Sequence, residues 1–214
     1  MKTKMDHYKE TFETWNKVAL LYQEKFMKLD IYNETYDFFL NQLTHQKSKL
    51  LEIGCGPGNI SHYLLTQRSE MQLTGIDIAP NMVELAKKNN PSASFHVMDC
   101  REIDQLTRLF DGIVVGFCLP YINVTEVQKL LSDCSELLNP NGVLYLSFVE
   151  GENTKSGFQT GSSGDRVYFY FYELTEINRL LTNSGFEEPV VFHVPYTLST
   201  NKEDVHTILI SRKK

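Results

Sequence analysis

The spacing of apolar residues changes period along the chain. Over residues 6–43 it is helical: Tyr8, Trp15 and Tyr22 fall seven apart, with Phe12, Ala19 and Phe26 on the same side. This predicts two helices, the second from about Ile31 to Leu43, with the aromatic stripe packed against the core. From Lys49 onward, short apolar runs alternate with helical segments. Strands are predicted at 49–53, 72–77, 94–98, 112–116 and 143–148, and helices at 59–67, 80–88 and 125–138. Such alternation predicts a parallel sheet with helices on both faces. Asn59 is placed to cap its helix through the side-chain oxygen, and Pro80 suits a first helical turn. Asn139-Pro140-Asn141-Gly142 supplies turn chemistry before the fifth strand.

The C-terminal third reads differently. Residues 150–166 are rich in Gly, Ser and Thr and predict a loop. Val167-Tyr168-Phe169-Tyr170-Phe171-Tyr172 predicts an aromatic strand whose alternate residues face opposite ways. A helix is expected over 173–184, stopped by Gly185. Runs at 190–194 and 205–211 have no helix between them, so they predict a hairpin whose last strand opposes the others. The whole, residues 1–214, reads as one α/β domain with a helical cap at 1–45 and an insertion at 150–172.

Chemistry concentrates at the strand ends. Leu51-Glu52-Ile53-Gly54-Cys55-Gly56-Pro57-Gly58-Asn59 is an apolar strand carrying an acid, a loop of alternating glycines and a helix start. Glycines allow positive φ and let a ligand lie against bare backbone. The spacing is G-x-G-x-G, not the G-x-G-x-x-G of dinucleotide binders. Asp77 ends the second strand, where a carboxylate can accept both hydroxyls of a ribose. Ile78 and Met82 follow as apolar contacts for a base. Val97-Met98-Asp99-Cys100 ends the third strand, and Asp111 precedes the fourth. Gly116-Phe117-Cys118-Leu119-Pro120-Tyr121 follows that strand.

Together these motifs resemble class I S-adenosylmethionine (SAM)-dependent methyltransferases of the small-molecule type, over most of the chain from about Trp15. The resemblance implies a Rossmann-like three-layer sandwich with a seven-stranded, mostly parallel sheet of order 3-2-1-4-5-7-6, its last strand antiparallel. It implies SAM as cofactor, with S-adenosylhomocysteine as product, held by Glu52, Gly54, Cys55, Gly56, Gly58, Asp77, Ile78 and Met82. Asp99 would accept from the adenine amino group, and the Cys100 N–H would meet a ring nitrogen. Gly116 and Phe117 would face the methionine end, with Tyr22 beside it. Tyr121, Tyr168 and Tyr170 are the candidate substrate contacts, under a lid drawn from the N-terminal helices and residues 157–166. Asp111 and the Pro-x-Gly turn are structural in that family.

Composition narrows the partners. The net charge is −6, from 21 basic and 27 acidic residues, which disfavours a nucleic-acid surface. A small-molecule methyl acceptor is therefore expected, with no nucleic acid and no membrane. The polar start Met1–Asp6 and the lack of a membrane-length apolar run make the cytoplasm the default location. Cys55, Cys100, Cys118 and Cys134 show no zinc-ligand spacing, so no metal is expected. Cys118 reads as a packed thiol rather than a nucleophile. The six histidines form no triad, and His193 and His206, on C-terminal strands, read as packed or surface residues. No general base, acceptor identity or oligomeric state is legible. Two alternatives stay open: a SAM-binding protein without catalysis, and an NAD(P)-dependent oxidoreductase.

Overall fold

A computed structural model describes residues 7–161, 164–197 and 203–214. Met1–Asp6, Ser162 and Ser163, read above as a polar start and part of a loop, lie outside the described residues. The strands are β1 (Lys49–Ile53), β2 (Gln72–Asp77), β3 (Ser94–Val97), β4 (Phe110–Val115), β5 (Leu138–Val149), β6 (Gly157–Thr160), β7 (Arg166–Phe169), β8 (Val190–Thr197) and β9 (Glu203–Arg212). The helices are α1 (His7–Lys17), α2 (Ala19–Phe26), α3 (Asn33–Gln42), α4 (Asn59–Gln67), α5 (Pro80–Asn89), α6 (Val124–Leu137) and α7 (Leu174–Asn183).

Near-continuous apolar strands must be covered on both faces. On one face Leu51, Ile53, Ile113 and Leu144 pack with Val127 and Leu130 of α6 and Leu181 of α7. On the other, Leu50, Val114, Val143 and Tyr145 pack with Phe39 of α3, Leu64 of α4 and Val83 of α5. Neighbours such as Leu50 and Leu51 thus serve opposite cores, as the two-residue period requires. Among the described residues the main sheet has seven strands in the order β3-β2-β1-β4-β5-β9-β8. This is the expected 3-2-1-4-5-7-6 order, its last two strands renumbered by an added hairpin. Pairing is parallel from β3 to β5 and antiparallel at β9. The chain leaves β1 for β2 on one side and returns to β4 on the other. The crevice at the ends of β1 and β4 is where open α/β sheets bind ligands.

Five local expectations are corrected. The first predicted helix breaks at Val18 (φ −93°, ψ 13°) into α1 and α2. Part of the expected 150–166 loop pairs instead, β6 with β7, in a separate two-stranded sheet. The aromatic strand stops at Phe169, and Tyr172 rejoins only by an isolated bridge to Glu150. Asn59 does not cap α4: Gly58, in the left-handed region, takes that position, with no side-chain cap. The fifth strand starts early, at Leu138, and residues 139–142 bulge opposite Asp111. Asp111 is structural there, accepting from Lys49 N–H at 2.8 Å and Asn139 Nδ2 at 2.7 Å.

The β6–β7 hairpin docks on α1. Thr14 Oγ1 donates to Arg166 O at 2.9 Å, and Tyr168 N–H donates to Thr11 Oγ1 at 2.9 Å. Lys17 reaches Asp165 at 2.7 Å. The two segments expected to supply a lid therefore form one unit over the sheet edge. No helix among the described residues is long and apolar enough to cross a membrane.

Candidate functional site

The loop leaving β1 is shaped by its glycines. Gly54, Gly56 and Gly58 have φ of +71°, +51° and +80°, where a side chain is strained. Gly56 forms cleft floor: a Cβ there would stand 3.7 Å from the Tyr22 ring. Gly58 has a different duty. A Cβ on it would sit 2.4 Å from Asn90 Nδ2, so its bareness lets α4 approach α5. Asp77 ties the loop to the next element. Its Oδ2 accepts from Gly56 N–H at 2.9 Å and its Oδ1 from Ala79 N–H at 2.8 Å. Burial raises the Asp77 pKa, while these two backbone donors oppose the rise.

Above the loop lies a cleft with two adjoining cavities of about 110 and 250 Å³. The first cavity gathers Asp77, Ile78, Met82, Met98 and Cys100. The second gathers Glu52, Asn59, Tyr32, Tyr196 and His206. Gly54, Gly56, Gly116 and Phe117 border both, beneath a roof of Trp15, Tyr22 and Tyr121. Trp15 contacts Tyr22 edge-on at 5.5 Å and Tyr121 at 5.5 Å. The break at Val18 separates Trp15 from Tyr22 in the helical register, yet both rings reach the same roof. The N-terminal aromatic stripe, expected in the core, thus lines the cleft with Tyr8, Phe12, Trp15 and Tyr22.

Polar groups in the cleft are few and placed. Glu52 is buried at the end of β1; its Oε2 accepts from the Ser61 hydroxyl of α4, while its Oε1 is buried with no partner. Burial pushes the Glu52 carboxyl up to about 8, against the Ser61 bond that lowers it. Trp15 Nε1–H is likewise buried and unpartnered. A buried acceptor and a buried donor left open cost free energy unless a ligand completes them. Phe117 has φ +52°, a strained state for a side-chain-bearing residue, costing on the order of 1–3 kcal/mol. Ser147 Oγ holds it by accepting from Phe117 N–H at 2.9 Å. Cys118 borders the first cavity, its thiol pushed well above the usual range by its bond to Cys100 and by burial. That suits the packed-thiol reading.

Five expected contacts lie outside the two cavities. Asp99 is occupied: Arg101 Nη2 and Nε donate to it at 2.6 and 3.0 Å, and Tyr8 OH donates at 3.0 Å. Those bonds hold its pKa below the usual value, against burial, which raises it. Cys55 is buried below the loop, its Cβ toward Gly75. Gly58 packs on α5. Tyr168 stacks on His7 at 4.4 Å, and Tyr170 packs on Tyr168 at 4.8 Å. Phe169, their opposite-phase neighbour, lines the cleft instead. The alternation was legible, but which phase faced inward depended on docking against α1. Ser61, Ser147, Tyr32 and His206 carried no signal, because their partners are distant in sequence. Among the described residues no cluster of three His, Cys, Asp or Glu is placed to hold a metal ion.

Comparison with known proteins places the chain. Residues 50–142 match the methyltransferase domain family. The 235L protein of Invertebrate iridescent virus 6, named as a methyltransferase, is 29% identical over 209 residues, covering 92% of this chain and 76% of that protein. Mouse (Mus musculus) tRNA N(3)-cytidine methyltransferase METTL2 is 30% identical over 161 residues, covering 65% of this chain but only 41% of its own length. A Burkholderia thailandensis 1,6-didemethyltoxoflavin-N1-methyltransferase, solved with its acceptor and S-adenosylhomocysteine, shares the fold at TM-score 0.74 and 19% identity, covering all of this chain and 92% of that one. The matched domain, the strand order and the glycine loop at the β1–β4 crevice agree: residues 50–142 match a methyltransferase domain, and the chain has the class I SAM-dependent methyltransferase fold.

Proposed function

We propose that this protein transfers the methyl group of SAM to a small molecule bound in the second cavity. The observation that carries the reading is one cleft lined by Asp77 at one end and Glu52 at the other, with Trp15 bordering both, where Glu52 Oε1 and Trp15 Nε1–H are buried without a protein partner. An acid and a donor complement the ammonium and carboxylate of an amino acid, and Asp77 complements ribose hydroxyls. Ile78, Met82 and Met98 supply an apolar slot for the base, and the Cys100 N–H its polar edge. Bound SAM supplies a methyl already activated by sulfonium charge. What the chain must add is alignment and exclusion of water. Gly56 and Gly116 let the backbone approach closely, Phe117 and Tyr121 wall the junction of the cavities, and α1, α2 and the hairpin roof it. The acidic net charge and mostly aromatic second cavity favour a small molecule over the RNA acceptor of METTL2.

Calorimetry with S-adenosylhomocysteine tests this reading first. Binding that E52Q and W15F each weaken is the expected result. Binding of NAD(P) in its place points to the oxidoreductase alternative. Tight SAM binding without S-adenosylhomocysteine formation across a metabolite pool points to a non-catalytic binder.

A further inference from the structure

The second cavity holds one group that the cofactor reading does not use. His206 lies on β9, 8% exposed, and its ring lines the cavity beside Gly116 and Phe117. Three aromatic rings fix its plane. Tyr196 of β8 stacks on it at 4.7 Å and 13°, Phe117 meets it edge-on at 4.9 Å, and Tyr32 lies near-parallel at 5.9 Å. Tyr32 also bonds it: the hydroxyl is 2.5 Å from His206 Nδ1. This leaves Nε2 as the ring nitrogen not committed to the protein. A buried imidazole held by three rings and one hydrogen bond is more than packing requires, because Phe or Leu would fill the space without a polar atom to satisfy.

Resting on the methyl-transfer reading above, we propose that His206 Nε2 takes the proton from the methyl acceptor, and that this acceptor is a hydroxyl on a small molecule. A neutral imidazole has one donor and one acceptor nitrogen. Once protonated it donates from both, so Tyr32 Oη must then accept from Nδ1–H. With Nδ1–H donating to Tyr32 Oη in both states the bond persists without rearrangement, and the Nε2 lone pair is left to the cavity. Tyr32 is thus a positioning residue. In the step itself the acceptor oxygen forms a C–O bond as the C–S bond breaks, its electron pair remaining on sulfur. The hydroxyl proton passes to Nε2 and then to solvent.

The chemistry of the site selects oxygen. Burial holds His206 down at about 4, so it is neutral and able to accept at neutral pH, yet a weak base. The charged neighbours are Asp204, two residues back on β9, with Glu52 and Lys25 lining the same cavity, Lys25 Nζ lying 5.9 Å from the Tyr196 ring, and Glu150, which accepts from Thr207 Oγ1 at 2.8 Å. A hydroxyl becomes strongly acidic as its oxygen is alkylated, so even a weak base receives the proton downhill. A methylated amine keeps its proton too firmly for this imidazole.

The test uses the full chain with S-adenosylhomocysteine bound, labelled with ¹⁵N-histidine, and His206 assigned by its loss in H206N. Asparagine keeps a donor near Nδ1 and removes the Nε2 lone pair. The expected spectrum at pH 7 shows a protonated Nδ1 and a bare Nε2. A proton on Nε2 overturns the proposal while leaving the cofactor reading intact. Failure of the wild type to bind S-adenosylhomocysteine removes the cofactor reading, and the proposal with it. Turnover is then probed with 2-naphthol against the alkylamine 2-naphthylmethylamine. The expected result is 2-methoxynaphthalene, with kcat at least 100-fold lower in H206N and S-adenosylhomocysteine affinity within twofold. Y32F is expected to shift the imidazole toward the Nε2–H tautomer and to lower kcat with unchanged KM for SAM. Methylation of the amine in place of the naphthol, or equal turnover by wild type and H206N, overturns it.

Discussion

The two cavities of the cleft are built from different material. The floor of the first is made of strand ends and the loops that follow them, in short runs at residues 54–56, 77–82, 98–100 and 116–122, beneath Tyr8, Phe12, Trp15 and Tyr22 of the N-terminal helices. The second is made of side chains brought from far apart. Tyr32 and His206, its central pair, are separated by 174 positions. The first cavity holds bare glycine backbone and one half-buried acid in a fixed frame. The second holds rings, with Glu52, Asp204 and His206 as polar points among them. The contrast teaches that a shared cofactor can be met by backbone and local turns. A particular acceptor must be met by side chains that only the tertiary fold assembles.

Substitutions that separate the cavities test this division. The largest effect is expected from D77A, which removes the acid proposed for the ribose and also the bonds to Gly56 and Ala79. Each bond to a charged group is worth roughly 1.5–3 kcal/mol. S-adenosylhomocysteine affinity should fall at least tenfold by calorimetry, in a variant whose circular dichroism shows the native fold. Unchanged affinity would detach Asp77 from the first cavity. Next in size is W15F, which keeps the ring packing and deletes the unpartnered N–H. A loss of about 0.5–1.5 kcal/mol in cofactor binding is expected, with no loss of thermal stability, since no protein bond is broken. A loss of stability with unchanged binding would make Trp15 a core residue after all.

The third prediction uses protons. Glu52 titrates near 8 in the folded protein and near 4.5 as a free side chain. Between those values the folded chain holds a proton that the unfolded chain has released, so this group's contribution to stability falls as pH rises. E52Q should therefore gain stability relative to wild type from pH 5 to pH 8, read by denaturant midpoints. An ammonium placed against Oε1 favours the carboxylate, so SAM binding at pH 7 should release up to about one proton. Calorimetry in phosphate and in Tris would show it, and E52Q should abolish it. Equal heats in both buffers would move the ammonium elsewhere. The smallest effect is expected from chelation: EDTA should leave turnover unchanged. Loss restored by magnesium would require a metal among groups that the described residues do not gather.

How much was legible follows the same boundary. The glycine loop, Asp77 and the strand order were readable because they obey local rules: positive φ, strand period and helix–strand alternation. Asp99 shows where locality failed. Its position at the end of β3 was right, but its carboxylate is taken by Arg101, two residues on, and by Tyr8, 91 residues away. The aromatic stripe of the N-terminal helices has the spacing of any buried helix face, so periodicity could not tell a core wall from a cleft roof. Tyr168 and Tyr170 lost to Phe169 because a two-residue period defines two faces without saying which one is covered.

The amino-acid order alone determined that this chain forms a doubly covered, mostly parallel sheet with a glycine loop and an acid, Asp77, at the β1–β2 ends. Those features depend on backbone conformation and on neighbours within about one turn or one strand. Only the tertiary structure decided that Glu52 keeps one oxygen free beneath the cleft, that Ser147 braces Phe117, and that Tyr32 meets His206. Each depends on the register of β5 and β9 against distant helices, and burial then sets the charge of the groups so placed.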